Sequence, residues 1–481
     1  MLRSNGFQFE YICCAEDCVS ISSFDYGIFI ERVLEGVMMS SSNTDSSAGL
    51  ATGGQPQETQ TFAFVAMTCL FFFWGFITVL NDILIPFLKE SFDLNYTQAM
   101  LVQFCFFGAY FIVSPFAGRL IDKVGFQMGI VIGLLTTAAG CVLFYPAADF
   151  NGYALFLAAL FVLGGGITVL QVAANPYVAA LGPEKSAPSR LNAAQAANSL
   201  ATFVGPPIGA MLLLGAVAAD ASAVQLPYLA MGGVLLVAAG LFKFINLPTL
   251  SHVETEGEQE SLKMHMLVSA SVIAAMILGY YWLAGLIAIV SFGYNLVGLS
   301  KHRSMVLGAL AIFLYVGGEV AIGSFLVNYF AESSIAGMEI VEAGEMVAFY
   351  WGAAFLGRLL GALLMVVLPS TKYLAANAVL AILMIVISMN TTGDTAMWSI
   401  LAVGFFNSIM FPTIFTLAVK GLGSMTSKGS GLVCQGIVGG ALIPLVQGVA
   451  ADNIGIQLSF IVPMLCYIYI GWYALKGADQ S

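Results

Sequence analysis

Long apolar runs dominate the sequence, and they limit the folds that this chain can adopt more than any other feature does. One of them, FFFWGFITVLNDILIPFL at 71–88, is interrupted only by Asn81 and Asp82. About 20 apolar residues suffice for a helix to cross the ~30 Å hydrocarbon core of a bilayer. Only 9% of the residues are charged and the mean hydropathy is +0.91, whereas soluble domains carry about 25% charged residues. The sequence therefore predicts an all-α integral membrane protein.

The apolar runs form two sets of six, separated by an acidic stretch, 254–260. The first set lies near 62–88, 98–121, 127–147, 153–181, 189–215 and 226–247, and the second near 304–330, 344–368, 372–391, 395–419, 429–449 and 456–475. A further apolar stretch, 264–299, follows the acidic residues and is too long for one ordinary helix and short for two. The predicted units are an N-terminal half (61–248), a central linker (249–302) and a C-terminal half (303–476).

Residues 1–60 precede the first span. From Met39 they are rich in Ser, Gly and Gln without a core-forming period, so we predict a disordered extension. Residues 1–38 lack the apolar stretch of a signal peptide, and we interpret them as an upstream extension of the reading frame, with Met38 or Met39 as the natural start.

Lysine and arginine placement predicts that both termini are cytoplasmic. With that orientation most basic residues fall at cytoplasmic ends, including Lys123, Lys185, Arg190, Lys301, Arg303, Lys420 and Lys428. The segment 264–299 must then enter and leave on one side. It is therefore two short spans, a re-entrant hairpin, or a pair of helices on the membrane surface.

The composition also bears on ligands and partners. The net charge of −11 comes mostly from acidic residues in loops, so the sequence gives no sign of a basic surface that would bind nucleic acid. The cysteines inside apolar runs have no metal-ligand spacing, and the three histidines are isolated, so we expect neither a metal nor a cofactor. The same absence of a clustered constellation argues against a membrane enzyme, and no extra soluble module supports a sensor.

The two sets of six spans repeat one another. FAGRL at 116–120 is echoed by FLGRL at 355–359, and Pro176, Gln195 and Pro206 are echoed in the same order at offsets of 236 to 240 residues. Two parallel six-helix halves are the architecture of the major facilitator superfamily, in which substrate binds near the membrane midplane between rocking halves.

Five motifs together resemble the fucose:proton symporter family, which includes bacterial glucose/galactose and N-acetylglucosamine permeases. They are LNDILIPFL, GRLIDKVGF, AANPYVAALGP, RLNAAQAANS and SIMFPTIFTLAVKGLG, and the likeness covers nearly all of 62–475 apart from 264–299. The resemblance implies a monomeric, multi-pass protein that is surrounded by lipid in the bacterial inner membrane and takes up a monosaccharide by coupling it to a proton gradient.

The motif GRLIDKVG is expected to act as a conformational latch. The resemblance gives this loop that role in the superfamily, with Gly118, Asp122, Lys123 and Gly125 as its residues. Physically, Gly118 permits close helix approach, and Asp122 can cap or pair near a helix end. An ordinary charged turn is the alternative.

Asp82 is the first candidate for proton coupling. A carboxylate at membrane depth costs roughly 2.5 kcal/mol or more, so such residues usually have a function. Its apolar neighbours disfavour the charged form, which suits a group that loads and releases a proton near neutral pH. The resemblance assigns that role to the acid of NDIL. The alternative is a neutral aspartate that only joins helices.

Polar side chains in apolar spans are the candidates for substrate binding. Amides offer a donor and an acceptor together, which suits a sugar hydroxyl, although interhelical bonding is the competing use. The candidates are Asn81, Gln171, Asn175, Asn192, Gln195, Asn198, Asn407 and Gln435, with Phe411 as an aromatic platform. Asn192, Gln195 and Asn198 recur every three residues, and Gln171 and Asn175 lie four apart, so each group shares a helix face.

One position departs from the fucose-transporting branch. That branch carries a glutamate in LETAANP, whereas this chain reads LQVAANP, so Gln171 cannot titrate. The difference favours a glucose/galactose-like hexose over fucose. N-acetylglucosamine, fucose and sodium coupling remain alternatives. Glu319 in the seventh span is a second candidate for coupling, or else part of a structural pair.

Overall fold

The computed structural model describes residues 57–92, 96–150, 152–213, 224–245, 247, 259–277, 280–298 and 302–478. Residues 1–56, with most of the predicted disordered extension and the predicted start codon, lie outside the described residues. The last four residues of that extension, 57–60, are not disordered but form the start of the first helix, because the helix of the first apolar span continues back into them. The side chains of Asn81 and Asp82 also lie outside the described residues, although the helix backbone there is described.

Helices account for the whole architecture of the described residues, which contain no strand. The N-terminal half comprises α1 (Gln57–Ser91), α2 (Tyr96–Val124), α3 (Phe126–Asp149), α4 (Tyr153–Ala180), α5 (Ala187–Leu213) and α6 (Gln225–Phe244), and the linker comprises α7 (Gln259–Ile277) and α8 (Tyr281–Gly298). The C-terminal half comprises α9 (Arg303–Ala331), α10 (Ile340–Leu364), α11 (Ser370–Asn390), α12 (Gly393–Asn407), α13 (Met410–Val419), α14 (Thr426–Gln435), α15 (Gly439–Ile454), α16 (Ile456–Ser459) and α17 (Ile461–Trp472). Over the described ranges, eleven stretches are long and apolar enough to cross a membrane.

The tenth and eleventh spans are each interrupted, which the apolar pattern did not predict. The tenth is divided between α12 and α13 at Ser408–Ile409, and the eleventh has a 3₁₀ turn between α14 and α15. Two helices meet closely at the second interruption. A Cβ on Gly439 would stand 1.9 Å from the carbonyl oxygen of Phe313. Only glycine permits that approach between α15 and α9.

Two seams join the halves. The first seam is formed by α2 and α14, and the second by α5 and α10. Within the N-terminal half, α1 packs against α5, and α3 packs against α4 and α6. The repeat in the sequence is thus reproduced in space, because the second and fifth spans of each half face the partner half.

The linker helices form an antiparallel pair beside the bundle. At 1.5 Å per residue, α7 and α8 are about 28 and 27 Å long. The ring of Phe292 stacks on Phe313 of α9 at 5.7 Å between centroids, and a Cβ on Gly285 would lie 3.1 Å from Leu442 of α15. These contacts place the pair against the side of the bundle, next to α9 and α15. The three predicted arrangements, two short spans, a re-entrant hairpin or a pair of helices on the membrane surface, stay predictions.

The antiparallel pair of α7 and α8, called the hairpin from here on, covers the first seam. Its outward face carries large exposed apolar side chains, among them Leu267, Leu286 and Val290, as expected of a surface that meets lipid. Beneath it lies a small apolar pocket lined by Phe104, Gly108, Phe111, Val272, Ala284, Gly285, Ala288, Val438, Ala441 and Leu442. The pocket wall therefore draws on α2 of one half, on the eleventh span of the other and on both helices of the hairpin.

Candidate functional site

A chain of buried polar side chains crosses the N-terminal half from α2 to α5. The amide of Gln171 donates to the hydroxyl of Tyr110 at 2.8 Å, and the amide of Gln195 donates to Oδ1 of Asn175 at 3.4 Å. Gln171, Asn175 and Gln195 are all buried. The structure therefore brings together three of the predicted binding residues.

Two atoms of this chain have no hydrogen-bond partner. They are Oε1 of Gln171, an acceptor, and Nδ2 of Asn175, a donor. Because the two residues are four apart on α4, they lie on one helix face. A buried amide that lacks a partner is costly, so the pair is suited to a ligand group that both donates and accepts.

The other amides of α5 are used differently. Asn192 donates to the Pro188 carbonyl at 2.8 Å and reaches across to the hydroxyl of Thr413 at 3.3 Å. Asn198 donates to the carbonyl of Phe71 on α1 at 3.0 Å. In both residues the amide NH₂ joins helices, which was the alternative for each amide, and Oδ1 of Asn192 has no partner. Only Gln195 of this face joins the chain with Asn175.

A second polar group lies in the C-terminal half around Asn407. Its amide donates to the hydroxyls of Tyr350 at 2.7 Å and of Tyr467 at 3.1 Å. The residue is fully buried, and its Oδ1 has no partner. Two tyrosines thus fix the orientation of an amide that keeps one hydrogen-bonding end free.

Glu319 lies near this group on α9. Its Oε1 accepts a hydrogen bond of 2.7 Å from Tyr315. The ring of Tyr315 is tilted against that of Phe411, with 6.4 Å between centroids. The Glu319 carboxyl therefore lies in the same region as the aromatic platform predicted at Phe411.

Gln435 bonds across the first seam. Its amide donates to the carbonyl of Phe111 on α2 at 3.3 Å, so this bond joins the halves. Asn81 and Asp82, the remaining site candidates, have side chains outside the described residues, and their roles stay predictions.

The latch motif GRLIDKVG lies at one end of the first seam. We call this end of the protein the latch end. A Cβ on Gly118 would stand 2.9 Å from the carbonyl oxygen of Ser427 on α14. Gly125 has φ of 83° between α2 and α3, a conformation that favours glycine. Lys123 is exposed and Asp122 is half-buried beside this turn.

The two halves are closed against each other at the latch end. Lys420 and Glu184, from opposite halves, form an ion pair at 3.6 Å. The hydroxyl of Ser189 donates to the Ala362 carbonyl at the same end of the second seam. Both contacts join the two halves at the latch end in this state.

Replacing Gly118 by valine is expected to open the latch end. The added carbon atoms would meet the backbone of α14, and overpacking of this kind costs about 1–3 kcal/mol. We expect disulfide formation between cysteines placed at Glu184 and Lys420 to slow about tenfold. Gly233→Val on α6, where a Cβ meets nothing within 4 Å, is the matched control. An unchanged rate in Gly118→Val would contradict the close packing of the latch.

Comparison with known sequences identifies the architecture. The chain matches the Major Facilitator Superfamily over residues 63–444. The chain belongs to the major facilitator superfamily. Within the superfamily it is a member of the fucose:proton symporter family, as its motifs had indicated.

The chain is similar to sugar transporters over nearly their whole length. The chain is 48% identical over 436 residues to a glucose/galactose transporter of Brucella abortus biovar 1 (strain 9-941), covering 90% of this chain and 98% of the relative. It is 31% identical to the L-fucose-proton symporter of Escherichia coli (strain K12), covering 85% and 92%.

Two crystal structures of superfamily transporters are similar in fold. The E. coli fucose:proton symporter FucP is 29% identical, with a TM-score of 0.74 over 88% of this chain and 100% of that one. FucP in the outward conformation is 30% identical, with a TM-score of 0.75 over the same shares. These matches confirm the predicted all-α fold of two six-helix halves.

Several residues of the site were not found by sequence reasoning. Tyr110, Tyr350 and Tyr467 orient the amides, but nothing in the sequence separates them from the other tyrosines among the 18. Arg358 had one signal, its place in the repeated FLGRL motif.

Proposed function

We propose that this protein imports a hexose of the glucose/galactose type by proton symport, with alternating access between its two halves. The observation that carries the proposal is the set of buried amides with a free donor or acceptor, contributed by both halves, in a member of a sugar:proton symporter family. N-acetylglucosamine, fucose and sodium-coupled transport are the alternatives.

The free amide atoms match the chemistry of a sugar ring. Each hydroxyl is both donor and acceptor, so neighbouring hydroxyls can satisfy Oε1 of Gln171 and Nδ2 of Asn175 together. Oδ1 of Asn407 would accept from a hydroxyl on the opposite side of the ring, and Phe411 would contact an apolar ring face. A sugar bound in this way touches both halves, as alternating access requires.

Asp82 is proposed as the proton-coupling group. Gln171 stands where the fucose branch carries glutamate, so a relay of two carboxylates cannot use that position. Glu319 is the membrane-depth carboxyl of the described C-terminal half and is proposed as the second group, hydrogen-bonded to Tyr315.

The latch end is proposed to face the cytoplasm of a bacterium, with the protein in the inner membrane as a monomer surrounded by lipid. The supporting pattern is the basic residues at that end, among them Lys123, Arg190 and Lys428. With the latch end closed, Asp82 would be protonated from outside, sugar would bind among the amides, and the halves would then rock inward and release both.

Uptake into vesicles tests the proposal. Radiolabelled glucose, galactose, N-acetylglucosamine and fucose are offered to the reconstituted protein under an imposed pH gradient, or under a sodium gradient at equal pH. We expect glucose or galactose to accumulate with the pH gradient alone. Accumulation driven only by sodium would contradict proton coupling, and transport of none of these sugars would contradict the proposed substrate class.

A further inference from the structure

Two prolines at matching places in the repeat each leave a backbone carbonyl without its helical partner. Proline has no N–H, so the carbonyl four residues earlier receives no helical hydrogen bond. Pro176 in α4 leaves the Val172 carbonyl without this bond, and Pro412 in α13 leaves the Ser408 carbonyl without it. Both carbonyls lie deep in the protein, where an acceptor without a partner is costly.

In the N-terminal half the freed carbonyl is bound by the other half. The hydroxyl of Ser430 on α14 donates to the Val172 carbonyl at 3.0 Å. A helix of the C-terminal half thus holds α4 through the position that Pro176 has made available.

In the C-terminal half the freed carbonyl is bound by Arg358. Its Nε donates to the Ser408 carbonyl at 2.8 Å. The approach of α10 to this break depends on Gly357, where a Cβ would lie 2.3 Å from Oγ of Ser408. The break between α12 and α13 therefore provides the acceptor, and the glycine beside the arginine provides the space.

The other end of the same guanidinium reaches the N-terminal half. Nη1 of Arg358 donates to Oγ of Ser199 and to the carbonyl of Gln195 at 3.4 Å. The side chain is only 9% exposed, and among the described side chains no carboxylate lies within 4 Å of it. Its charge is held by carbonyl and hydroxyl oxygens, which makes these bonds charge-assisted and strong.

We propose that Arg358 is a positioning residue that locks the second seam and sets the distance between the two groups of binding amides. It bonds the backbone of Gln195, which belongs to the N-terminal amide chain, and the backbone of Ser408, which follows Asn407. Opening the latch end separates α5 from α10 and breaks the bonds to Ser199 and Gln195. The sugar-binding part of this inference rests on the proposed function; the lock does not.

The test measures closure of the latch end without sugar. Cysteines replace Glu184 and Lys420, and their disulfide formation is timed in membranes, with the single-cysteine proteins as baseline. Arg358→Lys keeps the charge but loses the rigid fork of donors, and we expect the rate to fall about tenfold. Arg303→Lys is the control, because Arg303 is exposed at the start of α9, a helix that belongs to neither seam.

A second variant tests the role of the proline. Pro412→Ala restores an N–H that can bond the Ser408 carbonyl and compete with Arg358. We expect a slower rate in Pro412→Ala, and a double variant no slower than Arg358→Lys alone, because both changes remove one interaction. Ser199→Ala is a milder change that leaves the arginine in place and should slow closure in the same direction.

Sugar affinity supplies the second readout. Equilibrium binding of the transported hexose is expected to weaken about tenfold in Arg358→Lys and to remain unchanged in Arg303→Lys. An unaltered closure rate in both Arg358→Lys and Ser199→Ala would overturn the lock. Slower closure with unaltered affinity would overturn the positioning of the amides. If no hexose binds the parental protein, the proposed function fails while the closure experiment still decides the lock.

Discussion

Vesicles that contain the Asp82→Asn protein are expected to exchange labelled sugar across the membrane and to accumulate none under an imposed pH gradient. An amide cannot take up or release a proton, so sugar movement loses its link to the gradient. Binding among the other amides remains, which preserves exchange. For a one-proton symporter, a gradient of one pH unit supports about tenfold accumulation, and this whole factor should be lost. Uptake and counterflow of radiolabelled hexose, measured on the same preparation, separate the two activities.

Asp394→Asn is the matched control for this experiment. Asp394 is an exposed carboxylate in the first turn of α12, so its loss removes the same charge at a place without a proposed role. Accumulation in this protein should equal that of the parent. Should accumulation persist in Asp82→Asn, the coupling assignment is wrong, and Glu319→Gln becomes the decisive variant.

Replacing Asn407 by alanine is expected to weaken hexose binding roughly 5- to 150-fold. The change removes the free acceptor Oδ1, and it leaves the hydroxyls of Tyr350 and Tyr467 without the amide that now donates to both. Burying polar groups without partners costs about 1–3 kcal/mol, and 1.4 kcal/mol corresponds to a tenfold change in affinity. Equilibrium dialysis of the purified protein against labelled sugar measures the change directly.

The C-terminal half offers a matched control for this variant too. Asn377 on α11 is also buried, but its amide donates to the Tyr373 carbonyl of its own helix at 2.9 Å. Asn377→Ala should leave the dissociation constant unchanged. Equal losses in both variants would show that buried asparagines only stabilise this half and that Asn407 does not bind sugar.

Much of the fold could be predicted because the membrane imposes a simple pattern. Span length follows from bilayer thickness, and the repeat follows from FAGRL and FLGRL and from the paired prolines. The interruption between α12 and α13 was harder, because one proline in an apolar run can bend a helix without dividing it. The position of Gly439 against Phe313 depends on the neighbouring helix and leaves no signal in its own segment.

The site was predictable at the level of residue type and less so at the level of partners. An amide in an apolar helix signals a polar contact, and sequence spacing placed Gln171 and Asn175 on one face. The same spacing could not show that Asn192 would bond Thr413, more than 200 positions away. Whether an amide binds a ligand or a helix depends on which of its atoms the neighbours leave free, and only the packed structure shows this.

The hairpin of α7 and α8 makes the two flanks of the protein unlike each other as seen from the bilayer. It stands against the first seam, lined there by Gly108, Ala284 and Gly285, and no described helix outside the two halves stands at the second seam in the same way. An apolar compound dissolved among the acyl chains would meet the second seam directly but would have to pass the hairpin to reach the first. Among the described helices the twofold relation of the repeat thus ends at the perimeter, where an added helix pair stands between the lipid phase and one seam only.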